Sequence, residues 1–348
     1  MAGTRVDEPG SQLELARLRA NHSRYRPGQE TGHYESFFLR ANHANRSLAF
    51  WIRYTIFSPT GRPEAALGEL WAVYFDGESG RHVAVKKEVP FSQCTFKTSE
   101  FFAEVDDARL EPGTLRGSAA SGGHLVSWDL TFSGDAKPLF MLPVDLYEAE
   151  FPQAKTLVAL PMALFNGSLS VDGKQIEVAD WVGSQNHNWG TRHTDHYAWG
   201  QVAAFDTHPD SFLEVATARL KVGESWTPFM TPIVLRHQGE EIALNSMSQA
   251  AAAKGSFDYF NWHFSSETDA IRLDGRISAP LEAFVGLSYY NPPGGEKHCL
   301  NTKIASCELQ ITHKGSGRGE TAETLRARNR AAFEILTDDR DHGVEIRA

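Results

Sequence analysis

Between Asp180 and Gln201 the chain reads DWVGSQNHNWGTRHTDHYAWGQ, and no other stretch gathers as many side chains able to donate, accept or move a proton. The rings of Trp181, Trp189, Tyr197 and Trp199 are interleaved with Gln185, Asn186, His187, Asn188, His193, Asp195 and His196. An exposed loop gains nothing from tryptophans, and a plain core avoids histidines and amides because each buried polar group needs a partner. The segment therefore reads as the polar wall of an aromatic cavity. His187 is the first choice for proton transfer. Asn186 and Asn188 suit orientation of an oxygen or a water, with Gln201, His196, Trp189, Trp199 and Tyr197 as further contacts to a bound molecule.

Other chemistries fit less well. His187, His193 and His196 are six and three residues apart, which matches no standard zinc-ligand spacing, and there is neither an HExxH motif nor a cysteine pair. Ser184 lacks a GxSxG setting, and the glycines form no phosphate or dinucleotide loop because no βαβ context surrounds them. No cofactor and no metal is expected. What remains is acid and base work in a dry pocket. Glu35, near His33, Asp129 beside Trp128, and Glu214 within SFLEVATARL are the carboxyl candidates, since apolar surroundings push a carboxyl pKa upward and suit it to general-acid work. Their plain alternatives are ion pairs: Glu214 with Arg219, Glu35 with Arg40 or Arg53. Asp180 reads equally as a turn cap. If a carbocation forms, the faces of Trp51, Trp189, Trp199 and Tyr197 can stabilise it without quenching it; ordinary packing accounts for many of these rings.

The elements that must position these groups are mostly strands. Segments 34–42, 48–58, 68–76 and 81–90 are rich in aromatic and β-branched residues and are separated by turn sequences such as SPTGRP and DGESG. In LAFWIRYTIF, a period of two places Ala49, Trp51, Arg53 and Thr55 on one face, either a lumen face or a solvent face, and Phe50, Ile52, Tyr54 and Ile56 on the other. Short strands follow to Phe132 with no helical crossover, the mark of an antiparallel meander. Pro138, Pro143, Pro152 and Pro161 break the next segment into an arm, which leads to a hairpin signalled by NG and DG. The second half repeats the texture, and HLVSWDLTFSGDA near 124 resembles YFNWHFSSETDA near 259. The tail ETAETLRARNRAAFEIL reads as a helix with Ala322, Leu325, Ala332, Phe333 and Leu336 as its apolar stripe. The expected architecture is all-β: two antiparallel barrels side by side, at 31–160 and 161–348, with a loose segment at 1–30 and a C-terminal helix.

Composition narrows the partners. The chain has 348 residues, 41% of them hydrophobic, and a net charge of −10 with no dense basic patch, which argues against nucleic acid and anionic membranes but leaves transient apolar membrane contact for substrate loading open. Cys94, Cys299 and Cys307 give no disulfide framework, so a reducing, cytoplasmic setting is the default. The N-terminal sequence lacks the apolar core of a secretory signal, and no window is long and apolar enough for a transmembrane helix.

The blocks ESFFLRANHANRSLAFWIRYTIFSP, GELWAVYFD, GSQNHNWG, YAWGQ and NPPGGEKHCLNTKIASCEL together resemble the carotenoid 1,2-hydratase (hydroxyneurosporene synthase) family and its relatives, the AttH-like proteins, tocopherol cyclases and fungal Diels-Alderase-type cyclases. The resemblance covers nearly all of the chain after residue 30. It implies two lipocalin-like barrels with a ligand cavity at or near their junction, and hydration, cyclisation or isomerisation of isoprenoid or polyene substrates without nicotinamide or flavin. It places Asn186, His187, Asn188 and Trp189 on the cavity wall and leaves the acid open. The expected function is such an enzyme acting on a hydrophobic small molecule; the alternative is a lipid or terpenoid carrier of the same architecture.

Overall fold

The computed structural model describes residues 9–315 and 320–348. A helix, α1 (Pro9–Leu18), precedes a first run of strands: β1 (His33–Asn42), β2 (Leu48–Ser58), β3 (Leu67–Asp76), β4 (Val83–Pro90), β5 (Cys94–Phe96), β6 (Ala103–Val105), β7 (Ala108–Glu111), β8 (Thr114–Ser121), β9 (His124–Ser133), β10 (Leu139–Phe140), β11 (Ala154–Val171) and β12 (Lys174–Gly190). These twelve strands form one antiparallel sheet in the order β4-β3-β2-β1-β12-β11-β9-β8-β7-β6-β5, with β10 paired to β11. The sheet curls until β4 packs against β8 and β9, where the Lys86 amide donates to Ser121 Oγ at 2.9 Å. This nearly closes a barrel, whose inside is filled by Phe37, Leu39, Phe50, Ile52, Tyr54, Trp128 and their neighbours.

The chain then crosses to a second sheet through residues 191–195. Its strands are β13 (His196–Ala203), β14 (Phe212–Arg219), β17 (Ile233–His237), β18 (Glu240–Leu244), β19 (Lys254–Asp258), β20 (Asn261–Glu267), β21 (Ile271–Ser278), β22 (Val285–Tyr290), β23 (Glu296–His313) and β24 (Thr321–Thr337); β15 (Lys221–Val222) and β16 (Ser225–Trp226) form a separate small hairpin. The order is β18-β17-β14-β13-β24-β23-β21-β20-β19, with β22 on β23 and a short helix α2 (Met247–Ala252) packed beside β20. Trp262, Phe264, Leu300 and Phe333 centre the second core. The expected all-β pair of barrel-like units is what the structure contains.

Three expectations need correction. The C-terminal segment is strand β24, not a helix. From Arg330 to Thr337 it is buried on both sides, Ala331, Phe333 and Ile335 in the second core and Ala332 and Leu336 at the junction, so alternation of apolar and polar residues vanishes. Near Asn329, whose φ is +53°, the register jumps from Cys307↔Ala327 to Ala305↔Ala331, and this bulge completes the false helical spacing. The boundary near 160 falls inside β11; both β11 and β12 belong to the first sheet, so the crossing lies after Gly190. Finally, residues 20–25 are not loose: Ala20, Ser23 and Tyr25 are buried against the first barrel.

Candidate functional site

Strand periodicity splits the histidine- and asparagine-rich stretch into two sites. Opposite β1, the register Phe37↔His187, Phe38↔Asn186 and Arg40↔Ser184 turns Gln185, His187 and Trp189 to the same side as Glu35 and Phe37, and turns Ser184, Asn186 and Asn188 to the side of Phe38 and Arg40. The first side faces the inside of the first barrel and the N-terminal segment. The second faces the other barrel.

On the inner side, Glu35 is a saturated acceptor. Its carboxylate receives the backbone N–H of Arg24 at 2.8 Å, that of Tyr25 at 3.0 Å and the Ser23 hydroxyl at 2.9 Å, and it also meets Nε2 of His33 at 3.0 Å and of His187 at 2.8 Å. Burial opposes the charge, but the hydrogen bonds of His187 and His33 prevail and hold this carboxyl well below the usual range. His187 is equally occupied: Nδ1 donates to the Ala20 carbonyl at 2.7 Å and the ring stacks on Phe37 at 4.2 Å. Neither group has a free position for a substrate, and together they tie residues 20–25 to β1 and β12. Trp189 packs here with Ala20 and Tyr147.

On the outer side, a cavity of about 130 Å³ lies between the barrels, lined by Tyr34, Phe38, Trp51 and Arg53 from β1 and β2, Asn188 from β12, His193 from the crossing, Tyr197 and Trp199 from β13, Ala216 from β14, Tyr289 from β22 and Glu334 from β24. The face of β2 bearing Trp51 and Arg53 is thus neither lumen nor solvent surface; it is the junction wall. Among the described residues, Trp51 Nε1, the Tyr289 hydroxyl and Asn188 Oδ1 have no hydrogen-bond partner, so three polar atoms are left for a ligand. The Arg53 guanidinium lies 4.4 Å from the Tyr289 ring centroid, with Nε donating to Ser36 Oγ at 2.7 Å. His193 stacks on Tyr34 at 3.9 Å; burial first, then the charges of Arg53 and Lys297, bring its pKa down to about 3, leaving a neutral imidazole.

Two carboxyl groups stand at this junction in different settings. Glu334 is paired with Lys303 Nζ at 2.7 Å and accepts from Asn301 Nδ2 at 3.1 Å, while the ammonium sits 5.6 and 5.5 Å from the Trp51 and Trp199 ring centroids. Burial lowers the Lys303 pKa, and Glu334 works against that shift. Glu214 shares its face of β14 with Ala216 and lies behind Trp199, whose indole N–H donates to it at 2.8 Å. Its other oxygen accepts from Gln201 Nε2, also at 2.8 Å. Burial raises the Glu214 pKa to about 7 despite these two bonds. Gln201 is fixed in turn by Arg40 Nε at 2.8 Å and Ser184 Oγ at 2.6 Å on its oxygen, and its nitrogen also donates to Asn186 Oδ1 at 2.8 Å.

No family model matches the chain. Two curated relatives, uncharacterised proteins of two Mycobacterium tuberculosis strains, are 26% identical over 209 residues, which is 60% of this chain and 61% of theirs. Solved structures are similar over more of the length. A candidate AttH from Nitrosomonas europaea is 12% identical over 88% of this chain and 91% of its own, with a TM-score of 0.52. Kievitone hydratase from Nectria haematococca is 11% identical over 90% and 93%, at 0.53. CghA is 11% identical over 92% and 96%, at 0.50. The chain has the fold of these proteins.

Of the residues singled out from sequence, Trp51, Asn188, Tyr197 and Trp199 line the cavity, and Asn186, Gln201 and Glu214 form the hydrogen-bonded layer behind it. Glu35, His187 and Trp189 lie on the other face of the sheet. His196 bonds to the Leu336 carbonyl at 3.1 Å and packs on Phe257, away from the cavity. Asp129 is no buried acid: it is exposed and paired with Arg116 at 2.8 Å. Glu334 is hidden in the sequence because the apolar spacing of its segment imitates a helix. Lys303 and Tyr289 lie far along the chain from the aromatic stretch, and Lys303 sits in a run of β23 buried on both sides, where alternation gives no signal.

Proposed function

We propose that the junction cavity is a cofactor-independent active site for acid–base addition to, or cyclisation at, a carbon–carbon double bond of a small molecule with an apolar body and at least one oxygen function. The two unlike carboxyl settings carry this reading. A carboxyl hydrogen-bonded only by neutral donors, Glu214, keeps a proton near neutral pH, while the one paired with a lysine, Glu334, serves as base; opposed environments of this kind separate acid from base roles. Glu214 protonates the alkene past the edge of Trp199. The faces of Trp199, Trp51 and Tyr289 stabilise the positive charge, and a water attacks as Glu334 accepts its proton. Arg53, Asn188 and neutral His193 hold the substrate oxygen. Hydration is favoured over other additions because a structure of this fold is that of a named hydratase. Isoprenoid and polyene bodies suit the ring-lined wall.

The test is incubation of the purified chain with prenylated phenols and oxygenated polyenes in ¹⁸O-labelled water, read by mass spectrometry. Uptake of one labelled oxygen is expected, and Glu214→Gln should lower the rate by roughly 10² to 10⁴-fold with little change in binding. A wild-type rate in that variant removes Glu214 from the mechanism. The unpartnered Trp51, Tyr289 and Asn188 atoms also suit a carrier; a ligand bound tightly and returned chemically unchanged would support that second reading.

A further inference from the structure

In the second barrel, three histidines converge on one carboxylate. His208 lies in the turn between β13 and β14, His237 ends β17, His313 ends β23, and Glu323 stands at the start of β24. Nε2 of His237 is 3.1 Å from Glu323 Oε1, Nε2 of His208 is 3.4 Å from Oε2, and Nε2 of His313 is 4.0 Å from Oε1. One donor atom each from His208, His237 and Glu323 lies within 4.8 Å of the others.

We propose that this cluster is a binding site for a divalent transition-metal ion of the zinc class, with Nε2 of His208 and His237 and the Glu323 carboxylate as ligands and His313 as the fourth. Two features of geometry carry the inference. Zinc bonds of about 2.0–2.1 Å meeting at the tetrahedral angle separate ligand atoms by roughly 3.3 Å, and Nε2 of His237 and of His208 stand 3.1 and 3.4 Å from the two oxygens of Glu323, so a small turn of that carboxylate sets one oxygen near the tetrahedral spacing from both. Each inner ring also has its second nitrogen held by a hydroxyl: His237 Nδ1 meets Ser211 Oγ at 2.7 Å and His208 Nδ1 meets Thr207 Oγ1 at 3.0 Å. Such outer contacts fix the ring so that Nε2 points at a metal. Two imidazoles and a carboxylate, with a third imidazole in reach, suit zinc-class ions and not magnesium or calcium, which prefer all-oxygen sites. His237 is buried and His208 half-buried, so an ion enters from the side of His313, whose ring is more than half exposed. Bound there, it would staple the β13–β14 turn and β17 to the β23–β24 pair, on the same strand β24 that carries Glu334 to the junction cavity.

Sequence spacing hides this site, because the four residues span more than a hundred positions and none forms a recognisable ligand pair. The test uses the untagged full chain stripped with a chelator, dialysed against Zn²⁺ and assayed for bound metal, with Co²⁺ absorption as a second probe. One ion per chain is expected, with a tetrahedral cobalt spectrum and a raised Tm. His208→Gln, at a half-exposed position that leaves the core intact, should abolish the cobalt spectrum, and Ser211→Ala should weaken zinc binding by roughly 10-fold or more. Sub-stoichiometric metal in the parent chain overturns the proposal, as does zinc binding unchanged in His208→Gln and Glu323→Gln. Catalytic turnover is a separate readout, and its loss or retention bears on the junction cavity alone.

Discussion

Glu35 and Glu214 are both fully buried carboxyls on strands, yet their partners give them opposite dependence on pH. Glu35 accepts from backbone amides and two histidines, so its folded pKa lies below the unfolded one. The stability it supplies is present above the ordinary carboxyl range and is lost as pH falls through the lowered value. Glu35→Gln should therefore flatten the acid side of the stability profile and, by leaving His187, His33 and two backbone amides poorly matched, cost about 3–5 kcal/mol, measured by urea unfolding across pH. An unchanged midpoint would mean that the clamp does not hold residues 20–25. Glu214 runs the other way. Its pKa is raised from 4.5 to about 7, so the folded state favours the protonated form below 4.5 and loses that advantage as pH climbs to 7. Glu214→Gln should remove this decline and, with it, any limb near pH 7 in the rate profile. His187→Ala, in contrast, should lower Tm without a selective loss of turnover.

At the level of strands, the sequence was most legible where a strand keeps one face toward a core and least legible where both faces are buried. β2 shows the first case: Phe50, Ile52 and Tyr54 enter the first core and Trp51 and Arg53 the junction, as the period of two predicts. What the pattern does not disclose is that the second face meets another barrel, because a buried junction and an open lumen make the same demand on side chains. β24 shows the second case, where apolar residues on both faces and a bulge at Asn329 imitate a helix. β12 is intermediate. Its polar residues stand out in the sequence as a group, but they serve two sites on opposite faces, and only the register with β1 reveals which. That register depends on close approach at Gly183, where a Cβ would overlap the Arg40 carbonyl oxygen. Gly183→Ala should push β12 off β1 and cost about 1–3 kcal/mol or more by overpacking. Loss of native near-ultraviolet circular dichroism ahead of far-ultraviolet signal would report it; a fully native variant would show that the pairing tolerates the added methyl.

Across the whole molecule, the two barrels are joined by a polar seam as well as by rings. Arg40, fully buried on β1, donates Nε to the Gln201 side chain at 2.8 Å and an Nη to the Gln201 carbonyl at 3.1 Å, and Asn42 Nδ2 reaches the Lys303 carbonyl at 2.7 Å. Burial brings the Arg40 pKa down to about 9, so the guanidinium stays charged at neutral pH and its bonds are charge-assisted. The same Gln201 holds Glu214, so the contact that fastens one barrel to the other also sets the position of the proposed acid. Stability and site geometry are therefore linked through one amide. This linkage predicts a single cooperative unfolding transition for the intact chain, since parting the barrels breaks the Arg40 bonds to Gln201 and exposes the apolar cluster of Phe38, Trp51, Trp199 and Tyr289 together. Arg40→Met replaces the guanidinium with an apolar chain of similar length and removes one of the groups that hold Gln201, leaving Ser184 and Asn186. Calorimetry should then resolve two transitions, and the pH at which the rate profile bends should move up because Glu214 loses a nearby positive charge that favours its ionised form. A single transition at the parent Tm with an unmoved profile would show that ring packing alone couples the barrels and that the seam is dispensable to the acid.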